Sequence, residues 1–289
     1  NTSKILMVKN FLIVQGRLLS QENNQLQSFP IKWKDEFPLI QDLGFNGIEW
    51  IYDKFSEKTN PIITKQGQNE IVTLAKKYNV KLSNIVFDWF IEFPLYVDGV
   101  IESSRYEKLE SLINLSSKIG FKRIIFPILE SNSLNTSFIK NDFIKLCKEK
   151  ISCILDENDI EFHLETSMTP EEELNLLNSI NHPKFFICFD MGNSASLGFE
   201  PVYTLNKIKK FLGSVHIKDR KLHGVTVPLG TGNVNFSHVF STLDTLNFVG
   251  PISFQCFRDS SSDNISLIKK YSKFINDIIS EIKHNEKNC

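Results

Sequence analysis

The chain has 289 residues, of which 41% are hydrophobic and 23% charged, and its 33 Lys and Arg nearly balance 34 Asp and Glu for a formal net charge of -1. No global field therefore draws it onto nucleic acid or an anionic lipid surface, and a ligand has to be recognised locally. Five scattered cysteines (Cys147, Cys153, Cys188, Cys256, Cys289) form no C-x-x-C pair, which excludes a disulfide framework or a zinc ribbon and points to a reducing compartment.

The first apolar stretch, 5–14, is broken by Lys9 and Asn10 and lacks the small-residue cleavage site of a signal peptide. No window approaches the roughly 18 apolar residues of a membrane span. A cytoplasmic protein is the expectation, with no membrane or nucleic-acid partner.

Short β-branched and aromatic runs then recur at 11–14, 47–51, 82–87, 123–128, 160–164, 185–189, 214–217 and 252–257. Between them lie stretches with apolar residues three or four apart, such as Leu109, Leu112, Ile113 and Leu115, the period of an amphipathic helix. Strands alternating with helices imply right-handed crossovers and a parallel sheet. The runs are apolar throughout, as parallel strands covered on both faces must be. Eight such units close into a (β/α)8 TIM barrel of about 250 residues.

A doubly wound open sheet is the rival, but its Gly-x-Gly-x-x-Gly fingerprint is missing after the first run, which continues Gln15-Gly16-Arg17-Leu18-Leu19. Thr169-Pro170-Glu171-Glu172 reads as a capping box opening a helix. The stripe at 265–282 predicts the last helix, so one domain spans 1–283 and 284–289 form a tail.

In such barrels the chemistry lies at the carboxyl ends of the strands. The fifth run ends Phe162-His163-Leu164-Glu165, the sixth Cys188-Phe189-Asp190-Met191-Gly192-Asn193, the seventh reads Val215-His216-Ile217-Lys218-Asp219-Arg220 and the eighth Ser253-Phe254-Gln255-Cys256-Phe257-Arg258. Glu165, Asp190, His216 and Gln255 should converge. Singly, each reads as a polar strand end or a helix cap; together they form a donor set for a divalent metal, Mn or Mg in preference to a closed structural zinc, with a catalytic zinc still open.

Arg17, Lys218, Arg220 and Arg258 fall at or beyond strand ends, where they would grip a phosphate or pair with carboxylates such as Asp219. Glu49, Asp88 and Glu130 are candidates for contacts to a polar ligand or for structural ion pairs. Two residues before Glu165 and facing the same way, His163 is a candidate substrate contact, with a satisfied core histidine as the alternative. The turn Gly230-Thr231-Gly232 reads as a loop packing back over the site.

The segments Gly44-Phe45-Asn46-Gly47-Ile48-Glu49-Trp50, His163-Leu164-Glu165, Asp190-Met191-Gly192-Asn193, Val215-His216-Ile217-Lys218-Asp219 and Val227-Pro228-Leu229-Gly230-Thr231-Gly232-Asn233-Val234-Asn235-Phe236 resemble, in order and spacing, the xylose-isomerase-like TIM barrels. Within these, the resemblance is to the sugar phosphate isomerase/epimerase branch. It implies a divalent metal held at Glu165, Asp190, His216 and position 255, a carbohydrate substrate contacted by Asn193 among others, and a homo-oligomer. It also implies a second glutamate at 255, where the two glutamates of the epimerases face opposite sides of the substrate carbon. This chain has Gln255 instead.

A metal chelating a ketose acidifies the intervening C–H, and Glu165 is then the natural base. Glutamine can offer an oxygen to the metal but cannot accept a proton at neutral pH. Gln255 is therefore a catalytic-site residue whose role decides among isomerase, two-base epimerase with Asp259 as the second carboxylate, inosose-type dehydratase and non-catalytic sugar binder.

Overall fold

In the computed structural model, which describes residues 11–19, 27–259 and 263–287, the first apolar run pairs on one side with the second and on the other with the eighth. That closes the sheet. The strands are β1 (Phe11–Val14), β2 (Gly47–Ile51), β3 (Lys81–Val86), β4 (Arg123–Ile128), β5 (Glu161–Thr166), β6 (Phe185–Asp190), β7 (Leu212–Ile217) and β8 (Ile252–Phe254). Each pairs in parallel with its neighbours in chain order to form a closed eight-stranded barrel, a TIM barrel in one domain. Residues 1–10, most of the expected first apolar stretch, and Cys289 lie outside the described residues.

Alternation along the strands sorts side chains between two environments. Ile48 and Trp50 point from β2 to the surrounding helices, where Trp50 is fully buried against Trp33, Phe37, Phe29 and Phe121. Truncating a core aromatic of this kind costs about 3–5 kcal/mol. Inside the barrel, Val14, Ile51, Val86, Ile125 and Cys188 form a separate small apolar cluster. A polar set shares the interior, with Glu49, Asn84, His163, Ser214, His216 and Ser253 all completely buried. These are the residues that hold the site from below.

The local signals act as expected. Thr169 and Glu172 form the capping box of the helix Pro170–Ile180. Strand β8 leaves the ladder three residues before the end of its apolar run, yet the Gln255 N–H still donates to Ile217 O at 3.1 Å, which preserves strand parity at that side chain. The last helix, Asn264–Lys287, continues past Ile282, where the apolar stripe stops. Among the described residues no helix is long and apolar enough to cross a membrane.

Beyond the seventh strand, a short hairpin pairs Asp219 and Arg220 with Val227 and Thr226. Asp219 is buried and receives three backbone N–H groups, from Gly230 (3.0 Å), Gly232 (2.8 Å) and Val234 (3.1 Å). This carboxylate pins the glycine-rich loop against the barrel mouth. Gly232 cannot be replaced, because a Cβ there would collide with the Asp219 carboxylate.

Glu36, which opens the helix Glu36–Asp42, is completely buried. One oxygen accepts the Gly16 N–H at 2.6 Å. Burial pushes its carboxyl up to about 8 from an ordinary 4.5, against the pull of the Gly16 N–H and of Arg258 and Arg17. The folded chain thus holds a proton that the unfolded chain releases. Its stabilising contribution is complete below pH 4.5 and is lost as pH rises through 8. Glu36→Gln, neutral at every pH and still able to accept the Gly16 N–H, should flatten the loss of stability between pH 5 and pH 8. Urea unfolding at the two pH values checks this; an undiminished difference in the variant contradicts it.

Candidate functional site

Asp190 is the last residue of β6 and pairs in register with His216 of β7. Glu165 lies one residue from the end of β5. His216 Nδ1 is 3.7 Å from Glu165 Oε2 and 3.8 Å from Asp190 Oδ2, and one donor atom from each residue fits within 4.8 Å of the others. All three side chains are buried.

Each ligand candidate is held by a different device. Asp190 divides its oxygens: Oδ1 accepts the Asn193 N–H at 2.7 Å and caps the helix Met191–Ser196, while Oδ2 faces inward, 2.7 Å from the Lys218 ammonium. Burial alone would favour the neutral acid, but Lys218 and His216 outweigh it and hold this carboxyl well below the usual range.

Below the site, His216 Nε2 sits 2.8 Å from Glu49 Oε1. The other Glu49 oxygen accepts from Asn84 Nδ2 (2.9 Å) and Ser253 Oγ (2.7 Å). Burial opposes ionisation of Glu49, yet His216, Asn84 and Ser253 together lower its pKa. Burial likewise works against an imidazolium at His216, but Cys188 and the Glu49 and Asp190 carboxylates raise its pKa well above the ordinary value.

This donor set suits a divalent cation. His216 Nδ1 and Asp190 Oδ2 are fully buried and face each other at 3.8 Å across the gap between the three residues, with Oδ2 answered by the Lys218 ammonium. A cation there would satisfy both and take over the charge balance that the imidazolium proton and Lys218 now supply.

Above the three residues opens a cavity of about 530 Å3, lined by Arg17, Gln27, Asp88, Glu130, Glu165, Asn193, Lys218, Arg220 and Gln255 among others. Asn193 Nδ2 donates to Glu165 Oε1 at 3.0 Å, and its own oxygen receives Arg220 Nη1 at 2.8 Å. The amide is thereby oriented, and Glu165 Oε2 is left for the centre. A second chain runs from Lys218 Nζ to Gln255 Oε1 (2.9 Å), and from Gln255 Nε2 to Gln27 Oε1 (3.0 Å). Gln27 Oε1 also accepts Arg17 Nη2 at 3.0 Å, and Gln27 Nε2 donates to Asp88 Oδ2.

Gln255 therefore faces the same cavity as Glu165, with its oxygen committed to Lys218. Arg17, Asn193, Lys218 and Arg220 line the cavity as the strand-end pattern leads one to expect.

Three expected substrate contacts do not. Glu49 lies beneath His216, which screens it from the cavity. His163 shares the facing of Glu165 but sits one pleat lower, between Ser214 Oγ (2.9 Å) and Glu161 Oε2 (3.1 Å). Gly213 is needed beside it, because a Cβ there would come within 2.5 Å of the ring. Arg258 has turned away beyond the end of β8 and donates to Leu19 O at 3.3 Å. Asp259 does not line the cavity either. Gln27 was not anticipated: it follows β1 in a segment with no periodic signal.

A family model described as xylose isomerase-like TIM barrel matches residues 37–278. The L-ribulose-5-phosphate 3-epimerase UlaE of Escherichia coli (strain ATCC 8739) is 21% identical over 251 residues, 82% of this chain and 87% of that protein. A solved L-ribulose 3-epimerase superposes with a TM-score of 0.74 at 15% identity, covering 96% of this chain and 97% of that one. The IolI protein with a bound zinc atom gives 0.72 at 17% identity over 94% and 99%. With the family model spanning most of its length, the chain belongs to the xylose isomerase-like TIM barrel family.

Proposed function

We propose that this protein is a divalent-metal-dependent isomerase or epimerase of a ketose, most readily a ketose phosphate, and that Glu165 removes the proton beside the carbonyl. The observation that carries the reading is the meeting of Glu165, Asp190 and His216 at the floor of a polar cavity, with one Glu165 oxygen fixed by Asn193 and the other turned inward. Similarity to a curated pentulose-phosphate epimerase supports the substrate class.

Glu165, Asp190 and His216 Nδ1 would hold the metal, with Gln255 Oε1 available as a fourth donor once Lys218 releases it. When bound, the cation supplies Lewis-acid polarisation of the ketose carbonyl and the adjacent hydroxyl. The chain's own residues do the rest. Asn193 orients the Glu165 carboxylate for proton removal, and the Arg220 guanidinium orients Asn193 in turn. Lys218, which reaches both Asp190 and Gln255, would place a positive charge beside the developing enediolate.

Arg17 lines the cavity, is cationic at neutral pH although burial and Arg258 lower its pKa to about 10, and among the described residues its Nη1 has no acceptor. A phosphate oxygen is the natural partner for that donor.

In D2O with Mn2+, the wild type should wash deuterium into a pentulose or hexulose phosphate, and Glu165→Gln should slow this on the order of 10^2–10^4-fold. Proton NMR reads the exchange; a wild-type protein that exchanges no substrate of the panel removes the proposal. Glu49→Gln should weaken Mn2+ binding about 10–100-fold in calorimetric titration, because it replaces the charge that faces His216 Nε2. Unchanged affinity would separate Glu49 from the metal centre.

A further inference from the structure

Two relays of the same construction enter the cavity. In one, Arg220 orients the Asn193 amide and Asn193 donates to Glu165. In the other, Arg17 orients the Gln27 amide and Gln27 donates to Asp88. Gln27 Oε1 takes two donors, from Arg17 and from Gln255, so its nitrogen must point at Asp88. Each relay is an arginine, a carboxamide and a carboxyl group lining one cavity.

Among the described residues, no structural use of Asp88 accounts for this. It stands at the start of the helix Trp89–Glu92, yet its side chain makes no capping hydrogen bond. Among the described residues it forms no ion pair, and Gln27 is its hydrogen-bond donor. Of the described carboxyls that line the cavity, Glu130 is exposed at the rim, which leaves Asp88 and Glu165 within. Burial raises the Asp88 carboxyl to about 7, with the Glu165 charge adding to the shift and the Gln27 bond opposing it. Both protonation states are thus accessible at neutral pH.

Resting on the proton abstraction proposed above, we infer that Asp88 is the second proton-exchanging residue of this cavity, and that its reaction is a two-group epimerisation in which Asp88 takes the role that Gln255 cannot. The Glu165 carboxylate removes H+ from the reacting carbon. The C–H electron pair forms the C=C of the enediolate as the carbonyl π pair moves onto oxygen. Asp88, as the acid, then gives its proton to the same carbon from its own side of the substrate, and the oxygen pair reforms the C=O. Glu165 ends protonated and Asp88 ionised, and proton exchange with water restores both.

The test compares wild type, Asp88→Asn and Gln27→Met with L-ribulose 5-phosphate and Mn2+ in D2O, following both deuterium at the reacting carbon and appearance of the epimer. Asp88→Asn should lose epimer formation about 100-fold or more while Glu165 continues to exchange the substrate proton at a rate within a few-fold of wild type. Gln27→Met, which leaves Asp88 in place but unheld, should depress epimer formation selectively in the same direction. Mn2+ affinity should match wild type in Asp88→Asn.

Epimer formation by Asp88→Asn within threefold of wild type would overturn the assignment. So would an equal loss of epimerisation and exchange in both variants, which is the mark of a structural role. A wild type that neither exchanges nor epimerises is a different result: it removes the proton-abstraction reading itself.

Discussion

The contact of Glu49 with His216 is the constraint on which the rest of the site depends. A carboxylate with no solvent access is tolerable only if its charge is answered, and Glu49 is answered by an imidazole at 2.8 Å and by two neutral donors, Asn84 and Ser253. The partners come from β3, β7 and β8 and Glu49 itself from β2, so one buried charge ties together half of the strands. It also fixes which way the imidazole faces: Nε2 is held from below, and Nδ1 is presented to Glu165 and Asp190 above. The barrel interior is polar where it supports chemistry and has a separate apolar cluster in Val14, Ile51, Val86, Ile125 and Cys188.

Much of this was legible in the sequence because a barrel converts order along the chain into position. Eight apolar runs at regular intervals specify eight strands, and the pleat specifies which residues face inward. Glu165, Asp190 and His216 could be found because each is an inward-facing polar residue at the end of an apolar run. Parity does not give height, however. Strands in a barrel are tilted and staggered, so residues of one parity occupy several layers. Glu49 and His163 face the axis as expected but lie a layer too low to meet a substrate, where they buttress what is above.

Other parts were not legible for a different reason. Gln27 lies in a connection without periodicity, and the bond that gives it meaning joins it to a residue 61 positions away. Asp88 reads in the sequence as either a ligand contact or an ion-pair partner, and only the fold decides between them: it lines the cavity and takes its hydrogen bond from Gln27. Arg258 reads as a strand-end cation, but the ladder stops at Phe254 and the chain has changed direction by the time it reaches the guanidinium. The replacement at 255 looked like a missing function when judged alone. In the folded chain the same amide is one link in a polar chain from Lys218 to Asp88.

Lys218 gives the account its sharpest physical test, because its ammonium and a metal compete for the same Asp190 oxygen. A crystal structure determined with Mn2+, with anomalous scattering locating the ion, reads this directly. The account predicts an anomalous peak bounded by Glu165 Oε2, Asp190 Oδ2 and His216 Nδ1, with the Lys218 ammonium displaced from Asp190. No peak there at saturating Mn2+, with Lys218 still seated on Asp190, would contradict it.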